Sequence, residues 1–131
     1  MTIKGIIAGN FDLIHPGYIK LFKEAKKHCD YLIIALHENP EHKKIKPLLS
    51  VEERAEILMA IRYVDEVVTY KTEDDMEELL KMADVKINGS DHREDGRTFA
   101  IPEIFLERVH TWSITKLKKM IAKQMENYYD D

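Results

Sequence analysis

The stretch Ile6-Ile-Ala-Gly-Asn-Phe-Asp-Leu-Ile-His-Pro-Gly-Tyr-Ile-Lys20 constrains the fold more than any other part of the chain. Residues 3–8 form a short, largely apolar run rich in β-branched side chains, the composition of a parallel strand covered on both faces. Gly9 permits a tight turn. Pro16 suits the first position of a helix, where its missing N–H costs no hydrogen bond. Strand, turn and helix are therefore predicted in direct succession. The N–H groups of Gly17, Tyr18 and Ile19 are expected to lie unpaired at the helix start. Free donors and a partial positive charge there attract phosphate, and His15 can add a donor. The same pattern also describes an ordinary strand–turn–helix connection, and spacing alone leaves both readings open.

A length of 131 residues suits one domain, residues 1–131, with one core. Hydrophobic residues at 44% and charged residues at 34% describe a soluble globular protein. The net charge of −4 argues against a general nucleic-acid binder, which needs a basic face. The single cysteine, Cys29, cannot form an internal disulfide and fits a reducing compartment. It reads as a small buried side chain rather than a nucleophile. No apolar run reaches membrane-spanning length and no apolar leader opens the chain. The expectation is a cytoplasmic protein with neither a membrane nor a nucleic acid as partner.

Periodicity lays out the remaining elements. A first helix is predicted over 16–29 and a second strand over 31–36. The polar segment 37–49 leaves the carboxyl end of a strand, where ligands bind in open α/β sheets. Its Lys43, Lys44 and Lys46 describe either a solvated charged loop or a phosphate-binding one. Ser50 and Glu53 form a capping box. The helix behind them is expected to reach about Tyr63, with Val51, Ala55, Leu58 and Met59 inward. Arg54 and Arg62, two turns apart, would share one side of it. A strand over 64–70 and a helix over 73–83, capped by Thr72, come next. They are followed by a strand over 85–88, a polar loop, and a strand over 104–109. Ser113 should cap the last helix, whose end at 128–131 is expected to fray. These elements compose a Rossmann-like α/β fold with a five-stranded parallel sheet in the order 3-2-1-4-5 and helices on both faces.

Two motifs carry a family resemblance. Gly9-Asn-Phe-Asp12 followed by His15-Pro-Gly-Tyr18 resembles the G-[TS]-F-D…H-x-G-H signature of the nucleotidyltransferase superfamily, in particular of glycerol-3-phosphate cytidylyltransferases. Asn10 stands where Thr or Ser is usual, and Tyr18 where a second histidine is usual. Arg108-Val-His-Thr-Trp-Ser-Ile-Thr-Lys116 resembles the second signature, R-T-x-G-[IW]-S-T-T-K, with Thr111 replacing a glycine and Ile114 a threonine. Between them, Lys44-Ile-Lys46 resembles a K-x-K element. Arg62-Tyr-Val-Asp-Glu-Val67 matches R-Y-V-D-E-V, and Gly89-Ser-Asp-His92 resembles a G-D-D loop with Asp91 as its best match. The resemblance runs over roughly residues 3–120.

This resemblance implies transfer of CMP from CTP to a phosphorylated alcohol such as glycerol 3-phosphate. Pyrophosphate is released, Mg²⁺ accompanies the CTP, and the protein is a homodimer; no metal-ligand set in the protein is implied. His15, Tyr18, Lys44, Lys46 and Arg108 are implied to neutralise charge on the reacting triphosphate. Nucleotide contacts fall on Gly9, Asn10, Phe11, Asp12 and Gly17 in the first motif. Asp91 adds one from its loop, and Trp112, Ser113 and Thr115 add others from the second motif. Asp12 either orders the turn or touches substrate. Arg54 and Arg62 are implied to receive the acceptor phosphate, which a planar guanidinium grips in a bidentate way. A substrate lysine is implied near the start of the third helix, where this chain has Met76, with Lys71 nearby.

Tyr18 offers a hydrogen bond but no positive charge near neutral pH, since its pKa is about 10. A slower or differently arranged enzyme is the expectation. The alternatives are a nucleotide-binding module that has lost catalysis and an adenylyltransferase using ATP. All of these require the two helix starts, at His15 and at Ser113, to open onto one side of the molecule.

Overall fold

A computed structural model describes residues 2–39, 46–89 and 98–130. Strand β1 (Lys4–Gly9) is the middle of a five-stranded sheet. β2 (Tyr31–His37) and β3 (Glu66–Tyr70) lie on one side of it, β4 (Val85–Gly89) and β5 (Glu103–Leu106) on the other. The order is β3-β2-β1-β4-β5, and every neighbouring pair is parallel, as expected. Helices α1 (Pro16–Ala25), α2 (Val51–Met59), α3 (Glu73–Leu80) and α4 (Ile114–Asp130) complete the described elements. No helix among the described residues is long and apolar enough to cross a membrane.

Successive residues of a strand point to opposite faces, and here both faces are apolar. Ile7, Leu32, Ile34 and Leu36 pack with Phe22 and Ala25 of α1 and Leu58 of α2. Ile6, Ile33 and Ala35 pack on the other face with Met76 and Leu80 of α3. Burying one such side chain is worth about 1.5–3 kcal/mol, so these two layers are the main source of stability. β4 departs from an apolar strand: Lys86 and Asn88 are buried, and Lys86 lies 4.5 Å from the centre of the Phe99 ring.

Several boundaries differ from expectation. α1 stops at Ala25 rather than running to Cys29, because the chain closes into tighter turns there, Lys27 N–H to Glu24 O and His28 N–H to Ala25 O. Cys29 is buried beyond the helix, where burial pushes its thiol pKa up, against a nucleophilic role. α2 stops at Met59, so Arg62 is not on a helix face with Arg54 at all. The inward side of α2 is made by Val51, Ala55 and Leu58, as expected, together with the buried Arg54, while Met59 is exposed. Both capping boxes form, Ser50 with Glu53 and Thr72 with Asp75. α4 continues through Tyr128 and Tyr129, whose exposed rings meet edge-on at 5.3 Å.

Candidate active site

The turn after β1 is built under strain. Phe11 has a φ of 48°, a conformation that L side chains adopt at a cost of about 1–3 kcal/mol. Its ring compensates by packing into the core, 5.9 Å from Phe22 and 5.4 Å from Tyr18. The Phe11 side chain is therefore a core element. Gly9 leaves room for it, since a Cβ there would lie 3.2 Å from the Phe11 ring.

This conformation turns Asp12 inward, where it is 5% exposed. Its Oδ1 accepts from the Leu48 N–H at 2.7 Å, and its Oδ2 is 2.6 Å from the Lys118 Nζ. One carboxylate thus ties the first motif to residues 46–50 and to α4. Of the two roles open to Asp12, ordering the turn is the one its bonds serve. Charge-assisted hydrogen bonds are worth about 1.5–3 kcal/mol when partly shielded. A double-mutant cycle on Asp12→Ala and Lys118→Ala is expected to give a coupling of about 1–2 kcal/mol in urea unfolding; additive effects would contradict this link.

His15 caps α1 in a way the sequence did not announce. Its Nδ1 accepts from the Gly17 N–H at 3.1 Å, and its carbonyl accepts from the Tyr18 N–H at 3.0 Å. Two of the three donors expected to be unpaired are therefore occupied by the cap itself. The cap has a chemical consequence. A ring nitrogen that accepts a hydrogen bond carries no proton, so neutral His15 holds its proton on Nε2. His15 is 7% exposed, and burial lowers its pKa below the ordinary value, helped by the charges of His110 and Arg108. The imidazole is a neutral Nε2–H donor, held between Tyr18, stacked at 4.4 Å, and Trp112, near-parallel at 6.0 Å.

The second motif arrives from the far end of the chain. Ser113 caps α4, its Oγ accepting from the Lys116 N–H at 3.0 Å. The first-turn N–H groups of any helix lack intrahelical acceptors and favour anions. Arg108 donates to the Trp112 carbonyl, which places a permanent positive charge beside this start. An open groove of about 420 Å³ begins at Ser113 and Thr115 and continues past Lys116, Lys119 and Lys123. The starts of α1 and α4 lie side by side: Trp112, the residue before Ser113, lies near-parallel to His15, and Lys118 of α4 reaches Asp12.

Arg54 takes a different place from the one the resemblance implies. It is 2% exposed and donates to four backbone carbonyls: Leu49, Asn10, His37 and Glu38, at 3.1, 2.8, 2.8 and 2.7 Å. These carbonyls belong to the turn after β1, the end of β2 and the approach to α2. Arg54 therefore acts as a brace between three segments and not as a phosphate hand. Arg62 is exposed and lies in the turn that returns to the amino end of β3, the opposite end of the sheet from His15. Met76 is core, and Lys71 is exposed, 4.0 Å from a Glu38 carboxylate oxygen. Lys46 is exposed, two residues before the Leu48 amide that binds Asp12. Lys44 and Asp91 lie outside the described residues.

Sequence reasoning gave His110 no role. Its Nδ1 accepts from the Trp112 N–H at 3.0 Å, and its ring lies directly over Gly17. A Cβ on Gly17 would sit 2.4 Å from the His110 Cε1 and 2.8 Å from its Nε2. Its signal was its position two residues after Arg108, at a variable place in the motif, which no local pattern distinguishes.

A five-stranded parallel sheet with helix starts at the carboxyl ends of its strands is a Rossmann-like α/β fold, and ligands of such open sheets bind at those ends. A cytidylyltransferase-like family profile matches residues 6–125, and the chain belongs to this family of nucleotidyltransferases. Glycerol-3-phosphate cytidylyltransferase of Bacillus subtilis is 36% identical over 127 residues, covering 91% of this chain and 97% of that protein. FAD synthase of Pyrococcus abyssi is 40% identical over 101 residues, covering 73% and 68%. The chain also matches the bifunctional protein HldE of Gluconacetobacter diazotrophicus at 38% identity, over 70% of this chain, but spans 20% of that protein's length. In fold, it resembles the lipopolysaccharide core biosynthesis protein from Thermoplasma volcanium, with a TM-score of 0.71 at 17% identity over 84% of this chain and 100% of that one.

Proposed function

We propose that this protein transfers CMP from CTP to a phosphorylated alcohol such as glycerol 3-phosphate. An oxygen of the acceptor's phosphate attacks the α-phosphorus of CTP. The bond from that phosphorus to the bridging oxygen breaks, and pyrophosphate leaves. No covalent protein intermediate is needed, so the protein's work is positioning and charge stabilisation. The observation that carries this reading is the meeting of the His15 cap with the Arg108–Ser113 segment. His15 Nε2–H, Arg108 and the start of α4 would face the triphosphate. Lys44 and Lys46 would add charge from the loop, and Asp91, Thr115 and the Gly9–Asn10 backbone would hold the nucleotide. Mg²⁺ enters bound to the phosphates of CTP, its usual mode with nucleotides. The choice of CTP and a small acceptor rests on the Bacillus subtilis relative, matched over nearly the whole of both chains. The match of Arg62–Val67 to the family's R-Y-V-D-E-V is the ground for reading the active form as a homodimer.

A second reading, adenylyl transfer from ATP, draws on the FAD synthase at 40% identity, since FAD contains an adenylate group. Pyrophosphate release separates the two. The protein is incubated with Mg²⁺ and CTP or ATP, against glycerol 3-phosphate, phosphocholine, phosphoethanolamine and riboflavin 5′-phosphate. Release with CTP and a phosphoalcohol supports the proposal, and release with ATP alone supports the second reading. Nucleotide binding without release from any pair identifies a module that has lost catalysis.

A further inference from the structure

We propose that His110 supplies the second imidazole of the site, in the place that the motif pattern gives to residue 18. The inference rests on the nucleotidyltransferase reading and concerns which side chain completes its phosphate contacts.

In the H-x-G-H pattern two histidines flank the start of one helix. Here the second position is Tyr18, and its ring is committed elsewhere. It stacks on His15 at 4.4 Å and meets Phe11 edge-on at 5.4 Å, which makes it part of the wall behind His15. The space above Gly17 is filled instead from the second motif. The His110 ring comes so close to Gly17 that a side chain there would have to displace it. It stands 6.3 Å from the His15 ring, centre to centre, inclined at 60°. Two imidazoles therefore still flank the start of α1, one from each motif.

The hydrogen bonding of the two rings is alike. His15 Nδ1 accepts from Gly17 N–H, and His110 Nδ1 accepts from Trp112 N–H. Each backbone amide fixes the tautomer, so each neutral ring carries its proton on Nε2. Both then act as hydrogen-bond donors to phosphate oxygen, and neither needs to lose a proton in the reaction. The Arg108 charge acts on His15, and Arg108 donates to the Trp112 carbonyl just before the start of α4.

The test compares His110→Ala, His110→Gln and the double variant Tyr18→His with His110→Ala, in pyrophosphate release at saturating nucleotide. Losing a donor to a transition-state oxyanion costs about 10²–10³ in rate, so His110→Ala is expected to lower kcat by that factor with the acceptor KM within about threefold. His110→Gln places an amide N–H near the Nε2 position and is expected to recover at least about tenfold of the loss. The double variant, with an imidazole returned to position 18, is expected to do the same. A kcat for His110→Ala within about threefold of the parent, in protein that unfolds at the parent temperature, would overturn the proposal.

If the parent releases no pyrophosphate with any pair, the transferase reading fails while the placement of His110 is still decided. Inorganic tripolyphosphate is then the probe. An affinity about tenfold weaker in His110→Ala supports the role, and an unchanged affinity overturns it.

Discussion

Replacing His15 by asparagine is expected to lower kcat about 10²–10³-fold while leaving the unfolding temperature near that of the parent. The two outcomes separate because the two ring nitrogens have different tasks. Nδ1 caps α1 by accepting from Gly17 N–H, and asparagine is among the best residues for that task. Nε2 presents the donor, and asparagine has nothing that reaches as far. His15→Ala removes both and is expected to cost about 1 kcal/mol of stability in addition.

The acid side of the pH dependence has a definite sign. The pKa of His15 in the folded protein lies below its ordinary value of 6.5, chiefly through burial. Below 6.5 the unfolded chain binds this proton more readily than the folded one. Stability from this group is therefore complete above 6.5 and lost as pH falls towards the folded-state value, with no further loss beneath it. The neutral cap persists through neutral pH, and catalysis should show no His15-linked decline there. Urea unfolding of the parent and of His15→Asn from pH 8 to pH 5 checks this. A steeper acid loss in the parent is expected, and equal slopes would contradict the buried neutral cap.

The second large effect is on stability. Arg54→Met is expected to destabilise the protein by about 3–5 kcal/mol, because four buried or part-buried carbonyls lose their donor at once. Burial also pulls the Arg54 pKa down, with Asp12 opposing, so the charge is held by its surroundings and not by solvent. Arg54→Lys is expected to recover little, since an ammonium has three donors from one point and cannot span carbonyls on three segments. Chemical denaturation measures both variants. A substrate-binding Arg54 would show the opposite pattern, a raised acceptor KM in a protein of unchanged stability.

These two residues show where sequence reading succeeds and stops. Strand order, the Ser50–Glu53 capping box and the Thr72 cap were legible, because apolar runs and a Ser or Thr just before a helical pattern are local signals. Arg54 misled because its pattern is that of an exposed helix residue; its acceptors include Asn10, 44 residues away, and a buried arginine interrupts the apolar stripe. The positive φ of Phe11 has no local signature, since the ring stabilises it through Phe22 and Tyr18. His15 was legible as a site residue but not as a cap, because histidine is an uncommon one. The expectation of free Gly17 and Tyr18 donors failed for that reason. His110 was invisible because its importance comes from lying over Gly17, a contact made by folding alone.

The central claim is that one triphosphate is held between the start of α1 and the start of α4. A crystal structure with Mg²⁺ and a non-hydrolysable CTP analogue tests it most directly. The account predicts phosphate oxygens within hydrogen-bond distance of His15 Nε2 and of the first-turn amides of α4, with Arg108 beside them. Triphosphate bound at either helix start without the other, or away from both, would contradict it.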